Sequence, residues 1–220
     1  MKTVKRMYLS ENTPSSLKTY LVQRGYRLTL ITANHVTYPA VCTHADIFCC
    51  RLGAGESAPV FVGDTNEIGF RYPDNVCFNA VCLDRYFIHN LHHTSPALLE
   101  QVKSMGLEPI HVNQGYTKCN CVVVDGRSLI TADEGILRTL RKYPDIDVLP
   151  VRQGFVKLSG FAYGFLGGAS GRVENEIIFN GDLSCHPDFE TISAFIHERR
   201  LSVKYFPAYE LEDIGSLIGE

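Results

Sequence analysis

The sequence predicts an α/β chain built by repeating one unit: a strand, a second strand, a helix and a closing strand. Three segments carry the prediction. Residues 119–151 read CNCVVVDGRSLITADEGILRTLRKYPDIDVLPV, and a similar run, GGASGRVENEIIFNGDLSCHPDFETISAFIHERRLSVKYF, begins at Gly167. With Asp133 set on Asp182, the strand Ser128–Thr131 falls on Ile177–Asn180, and the helix Gly135–Tyr143 falls near Phe189–Arg199. A third copy, FNAVCLDRYFIHNLHHTSPALLEQVKSMGLEPIHVN, covers Phe78 to Asn113. A period of about 35–50 residues marks a repeat architecture rather than several unrelated pieces.

Two weaker copies complete the series. Residues 4–32 offer a strand (Val4–Leu9), a helix opened at Thr13-Pro14-Ser15, and a strand (Arg27–Ile31); Gly25 stops the helix Ser15–Arg24. Residues 40–62 give AVCTHADIFCCRL and APVFVG, read as two strands with no helix between them. The result is five units, with approximate bounds 1–35, 36–75, 76–114, 115–155 and 156–220. No Pro/Gly/Ser-rich linker or charge block divides the 220 residues, so one domain, 1–220, is expected.

Composition narrows the function classes. The net charge of -3 leaves no electrostatic footprint for nucleic acid. The basic residues Arg138, Arg141, Lys142, Arg199 and Arg200 lie late in expected helices, where they complement the helix dipole. No stretch approaches the ~20 apolar residues of a membrane span, and no apolar signal core opens the chain, so the cytoplasm is the expected compartment and a membrane partner is not. The eight cysteines fall mostly inside expected strands and read as reduced thiols. None is spaced CxxC, so no structural zinc is expected.

Several residues could carry chemistry. Two segments read His-x-Asp. His44 and Asp46 open an apolar strand, where a spacing of two puts both side chains on one face. His186 and Asp188 open a helix, where Asp188 is equally a helix cap behind the turn at Pro187. A carboxylate beside an imidazole fixes its tautomer and stabilises its charged form, as general-base sites need. Cys119 follows Lys118 and immediately precedes a strand; adjacent positive charge and partial exposure would favour a thiolate, although a buried inert thiol fits the same residues. In GFLGGASGRV the glycines, Gly168 among them, fit a tight inward turn near an axis. No helix follows directly and no Walker lysine is present, so no nucleotide cofactor is indicated. Asp133 and Asp182 each follow a second strand, where they either line a common funnel or cap the next helix.

On the motifs QGYTKCN (114–120), LITADEG (129–135), GFLGGASG (164–171), GDLSCHPD (181–188) and DIGS (213–216), the sequence resembles the pentein superfamily. These are five-bladed α/β propellers that include arginine deiminase, dimethylarginine dimethylaminohydrolase and glycine amidinotransferase. More narrowly, it resembles an uncharacterised bacterial group described as having the guanidino-group-modifying-enzyme fold. The resemblance covers most of the second half; residues 1–75 follow only by repeat logic. It implies strand–strand–helix–strand blades around a polar channel.

Guanidino-modifying members use a cysteine nucleophile after a glycine-rich segment in the last blade, with histidine and acidic residues on the guanidinium. Here that segment holds no cysteine, and Ser170 or Gly171 stands in its place. Cys119, in the neighbouring blade, and Cys185, beside His186, are the remaining candidates. The resemblance thus implies a hydrolase of guanidine, amidine or related C–N bonds, acting on a cationic small molecule. Cys119, His186 and Asp188 would be catalytic, and His44, Asp46, Asp133, Asp182, Gly168 and Ser170 would bind substrate. The alternative is a non-catalytic pentein binding or scaffold protein, like the superfamily's ribosome anti-association factor. A further alternative is a metal site of His44, Asp46, His186 and Asp188. Exposed blade ends leave homo-oligomer formation open.

Overall fold

The computed structural model describes residues 5–55 and 57–220, which form five small sheets. Chain order is β1 (Arg6–Ser10), α1 (Ser15–Gln23), β2 (Arg27–Ile31), α2 (Ala45–Phe48), β3 (Cys49–Arg51), β4 (Val60–Val62), β5 (Val81–Cys82), β6 (Tyr86–His89), α3 (Pro96–Ser104) and β7 (Glu108–His111). Then come α4 (Thr117–Asn120), β8 (Cys121–Val123), β9 (Ser128–Thr131), α5 (Glu134–Leu140), β10 (Asp147–Pro150), β11 (Ser170–Val173), β12 (Glu176–Phe179), α6 (Phe189–Glu198), β13 (Ser202–Lys204) and β14 (Ile218–Gly219).

Three sheets repeat one pattern. In β5-β6-β7, β8-β9-β10 and β11-β12-β13, the first pair is antiparallel and the second parallel across a helix. A parallel pair needs such a crossover, and the helices bury one apolar stripe against the sheet: Leu98 and Val102 in α3, Ile136 and Leu140 in α5, Ile192 and Ile196 in α6. Capping follows local chemistry: Ser95 accepts from the Leu98 amide and Asp133 from the Ile136 amide.

Two departures from the sequence reading bear on the site. First, the segment expected as a strand through His44 and Asp46 contains a one-turn helix, α2, before β3 starts at Cys49. The apolar run ADIFCC is too short for periodicity to separate the two forms. The same one-turn helix, α4, carries Lys118 and Cys119 ahead of β8. Second, the last strand does not join the fifth sheet: β14 pairs antiparallel with β1, Met7 opposite Gly219, and completes the sheet β14-β1-β2. Val4, the expected start of the first strand, lies outside the described residues.

The first strand of each sheet (β3, β5, β8, β11, β14) is short and packs beside its counterparts, β14 against β3 and β11, and β11 against β8. A belt of backbone hydrogen bonds ties the segments just ahead of these strands. The amide of Asp46 donates to Gly215 O (3.0 Å), Ser216 to Gly168 O (2.7 Å), Gly168 to Cys119 O (2.8 Å) and Lys118 to Asn79 O (3.1 Å). This belt, not any single sheet, positions the site. No described helix is long and apolar enough to cross a membrane.

Candidate functional site

Cys119 lies at the centre of the belt, buried to 3% exposure. Its thiol donates to Asp46 Oδ2 (3.1 Å) and its sulfur accepts from Asn79 Nδ2 (3.2 Å). Asn79 is oriented by its own carbonyl, which accepts from the amides of Lys118 (2.8 Å) and Cys119 (3.2 Å). Asp46 Oδ2 also accepts from Ser216 Oγ (2.6 Å), and Ser216 Oγ accepts from the half-buried Lys118 Nζ (3.0 Å). Ligating atoms of His44, Asp46 and Cys119 lie within 4.8 Å of one another. Next to them, Asp213 accepts from the amides of Phe165 and Gly215, both at 3.0 Å.

Two polar atoms here lack partners. Asp46 Oδ1 is buried with no hydrogen bond, and so is His44 Nδ1. His44 Nδ1 does face Asp213 Oδ1 at 3.8 Å, close enough for attraction if the ring is charged but too long for a hydrogen bond. Unsatisfied buried polar atoms cost stability, so two of them on neighbouring side chains of one buried cluster point to a ligand or a reaction.

Burial controls the protonation states. It pushes Asp46 upward, an effect His44 partly offsets, and it lifts Asp213 to about 6. It lowers His44, so the ring is neutral, and lowers Lys118 against the pull of Asp46. Cys119 is raised well above the ordinary thiol range, first by burial and then by the fields of Asp46 and Asp213. The resting group is a thiol. The sequence argument from Lys118 fails because the thiol is sealed and the two nearby carboxylates outweigh the lysine.

The donors His44 N, Asp46 O and Cys119 S form a nitrogen, oxygen and sulfur set that a soft divalent ion could use. That set differs from the four residues expected for a metal, because His186 and Asp188 lie elsewhere. Asp188 stands at the start of α6 without capping it; its carboxylate binds Arg152 through Nε (2.9 Å), Nη2 (2.6 Å) and the backbone amide (2.7 Å). His186 accepts the Asp188 amide and packs on Phe155. Among the described residues, no hydrogen bond, ion pair or ring contact joins either to Cys119, Asp46 or His44.

The other expected positions divide similarly. Asp133 caps α5 and accepts from Gln114 Nε2 (3.0 Å), while Asp182 accepts from Ser184 and from the exposed Cys185. Ser170 turns inward to Gly167 O (3.0 Å). Gly168 belongs to the centre: a Cβ there would sit 2.0 Å from Asp213 Oδ1. Asn79, Asp213 and Ser216 were missed as site residues. Their signal was positional, since each stands within a few residues ahead of a first strand, as Asp46 and Cys119 do.

A cleft leads to this centre. Its floor is His44 and Asp213, and its walls include Tyr38, Leu158 and Phe161. Cys119 is not part of its lining and lies behind the floor.

Comparison with known proteins places the chain. Residues 56–218 match the family of unknown function DUF6873. The chain belongs to that family. No match is found among curated proteins. Among solved structures the chain is similar to a crystal structure of the dimethylarginine dimethylaminohydrolase adduct with 4-chloro-2-hydroxymethylpyridine, at TM-score 0.54 and 8% identity over 92% of each chain. At that identity the likeness is one of fold.

Proposed function

We propose that the five sheets are the blades of a pentein propeller and that the chain is a hydrolase of guanidine, amidine or related C–N bonds, with Cys119 as nucleophile. The observation that carries this reading is the buried contact of the Cys119 thiol with Asp46 and Asn79, beside the unpartnered His44 Nδ1 and Asp46 Oδ1. The pentein fold of dimethylarginine dimethylaminohydrolase supports the substrate class.

The electrostatics give a sequence of events. A cation held by Asp46 and Asp213 cancels the fields that keep Cys119 protonated and places positive charge beside sulfur, so the thiol acidifies only when substrate is bound. The thiol proton passes to Asp46 Oδ2, already its acceptor, and Asn79 Nδ2 stabilises the thiolate. Sulfur attacks the planar carbon, the C–N bond breaks, and the proton taken up by Asp46 passes through His44, in the role expected of His186, to the departing amine. Water then attacks the S–C bond, releases the oxygenated product and restores the thiol.

A second reading is a non-catalytic pentein binding protein, favoured by the sealing of Cys119 behind the cleft floor. Labelling native protein with 2-chloroacetamidine, an amidinium that alkylates thiols, separates the two. Single-site alkylation of Cys119, faster than in the unfolded chain and abolished in Asp46→Asn, supports the hydrolase. Alkylation no faster than in the unfolded chain ends it and leaves the binding protein.

A further inference from the structure

The cleft above His44 and Asp213 has a distinct chemistry. Apart from the Tyr38 phenol, its ionisable lining groups are His44, Glu212 and Asp213, and no lysine or arginine is among them. With His44 neutral, the cleft is anionic. Glu212 is half-buried and its carboxylate enters no ion pair among the described residues. The unpartnered nitrogen of His44, buried to 3% exposure, stands in the floor.

The walls are aromatic and one is held rigidly. Tyr38 and Phe161 have ring centroids 6.2 Å apart at 49°. The Tyr38 hydroxyl meets the Tyr116 hydroxyl at 2.9 Å; Asn75 Nδ2 donates to that same hydroxyl (2.8 Å) and to Thr37 Oγ1 (3.0 Å). Asn75 and Thr37 are buried. These hydrogen bonds fix the Tyr38 ring, which packs against the core on one side and lines the cleft on the other. Phe161 faces it from a turn after Gly160 and is 52% exposed, a large apolar side chain left in water.

An anionic floor beside a contacting pair of aromatic rings selects cations with a flat apolar body that packs against the pair. It disfavours a ligand carboxylate, which would meet Glu212 and Asp213 with no cationic group to pair with. We propose that the substrate class is an aryl- or arylalkyl-substituted guanidinium or amidinium without a carboxylate, with Tyr38, Phe161 and Glu212 as its specificity determinants. The assignment to a substrate rests on the hydrolase reading; the binding preference does not.

Calorimetric titration of the full chain with benzamidine, phenylguanidine, arginine and benzoate tests it. Benzamidine and phenylguanidine should bind at least about tenfold more tightly than arginine, with benzoate not binding. Phe161→Ala, at an exposed position that leaves the fold intact, and Glu212→Gln should each weaken benzamidine severalfold or more. Arginine binding as tightly as benzamidine, no benzamidine binding at all, or indifference to both substitutions overturns the proposal. Tight benzamidine binding alongside a Cys119 inert to 2-chloroacetamidine upholds the cleft's preference and removes only the hydrolase reading.

Discussion

Ser216 donates a 2.6 Å hydrogen bond to Asp46 across 170 residues of sequence. The same hydroxyl accepts from Lys118, so one small side chain links the buried acid to the half-buried base without direct contact between their charged atoms. This arrangement anchors Asp46 on one oxygen while the other, also buried, has no hydrogen-bond partner.

Ser216→Ala should therefore damage function more than fold. Losing a buried hydrogen bond to a charged or partly charged group costs about 1.5–3 kcal/mol. It should also raise Asp46 further, because the Ser216 bond is one of the influences holding it down. Denaturant unfolding should show that modest loss, and Cys119 alkylation by 2-chloroacetamidine should slow at least about tenfold. Alkylation at the native rate would show that Asp46 does not need this anchor.

Gly168 and Asp213 cannot both be larger. A methyl at Gly168 would lie 2.0 Å from the Asp213 carboxylate, between backbone held by the belt. Overpacking of this kind costs about 1–3 kcal/mol. Gly168→Ala should lower the melting temperature and abolish cation binding, and adding Asp213→Ala should recover much of the stability but none of the binding. Additive losses in the double variant would place the clash elsewhere.

Asp213 also predicts a pH response. Burial raises its pKa from 3.8 to about 6, so the folded state holds this proton more tightly than the unfolded chain does. Its contribution to stability is full below pH 4 and is lost as the pH rises through 6, by on the order of 3 kcal/mol. Wild type should accordingly lose ground relative to Asp213→Asn between pH 4.5 and 7.5, measured by thermal unfolding. Parallel curves would contradict this. Benzamidine affinity should run the other way, falling as the pH drops through about 6, because the cation needs the charged carboxylate.

Metal removal discriminates between mechanisms at the same three side chains. Under the thiol mechanism, prolonged dialysis against a chelator leaves turnover unchanged, whereas added Zn²⁺ slows Cys119 alkylation by engaging His44, Asp46 and Cys119. Activity lost on chelation and restored by zinc would transfer the chemistry to the metal.

Much of the fold was legible because repetition supplies its own control. Strand β9 falls on Ser128–Thr131 as read, and helices α1, α5 and α6 fall within a few residues of their expected bounds. Of the unit read over residues 40–62 as two strands, β3 and β4 follow at Cys49–Arg51 and Val60–Val62, but the helix α2 takes the place of the first strand's earlier part. The one-turn helices ahead of β3 and β8 were not, since four residues carry no periodic signal. Cys119, Asp46 and His44 could be singled out by residue type. Their partners Asn79, Asp213 and Ser216 could be found only by their position ahead of the first strands, because residue type alone does not distinguish a polar residue that faces the centre from one that faces a loop. His186 and Asp188 shared the His-x-Asp spelling of His44 and Asp46, but Arg152, 36 residues before Asp188, claims that carboxylate. Spacing alone does not reveal such a competitor.

The pairing of β14 with β1 sets Met7 against Gly219, and the segment leading into β14 delivers Asp213 and Ser216 to a thiol nearly a hundred residues earlier. Contacts of such high sequence separation form late in folding, because loop closure must come before they are rewarded. A chain arrested with its middle sheets formed would hold Cys119 without Asp213, Ser216 or the anionic floor. Under the hydrolase reading, alkylation of Cys119 by a cationic reagent at more than the unfolded-chain rate would then report completed folding, because half-folded chains carry only ordinary cysteines.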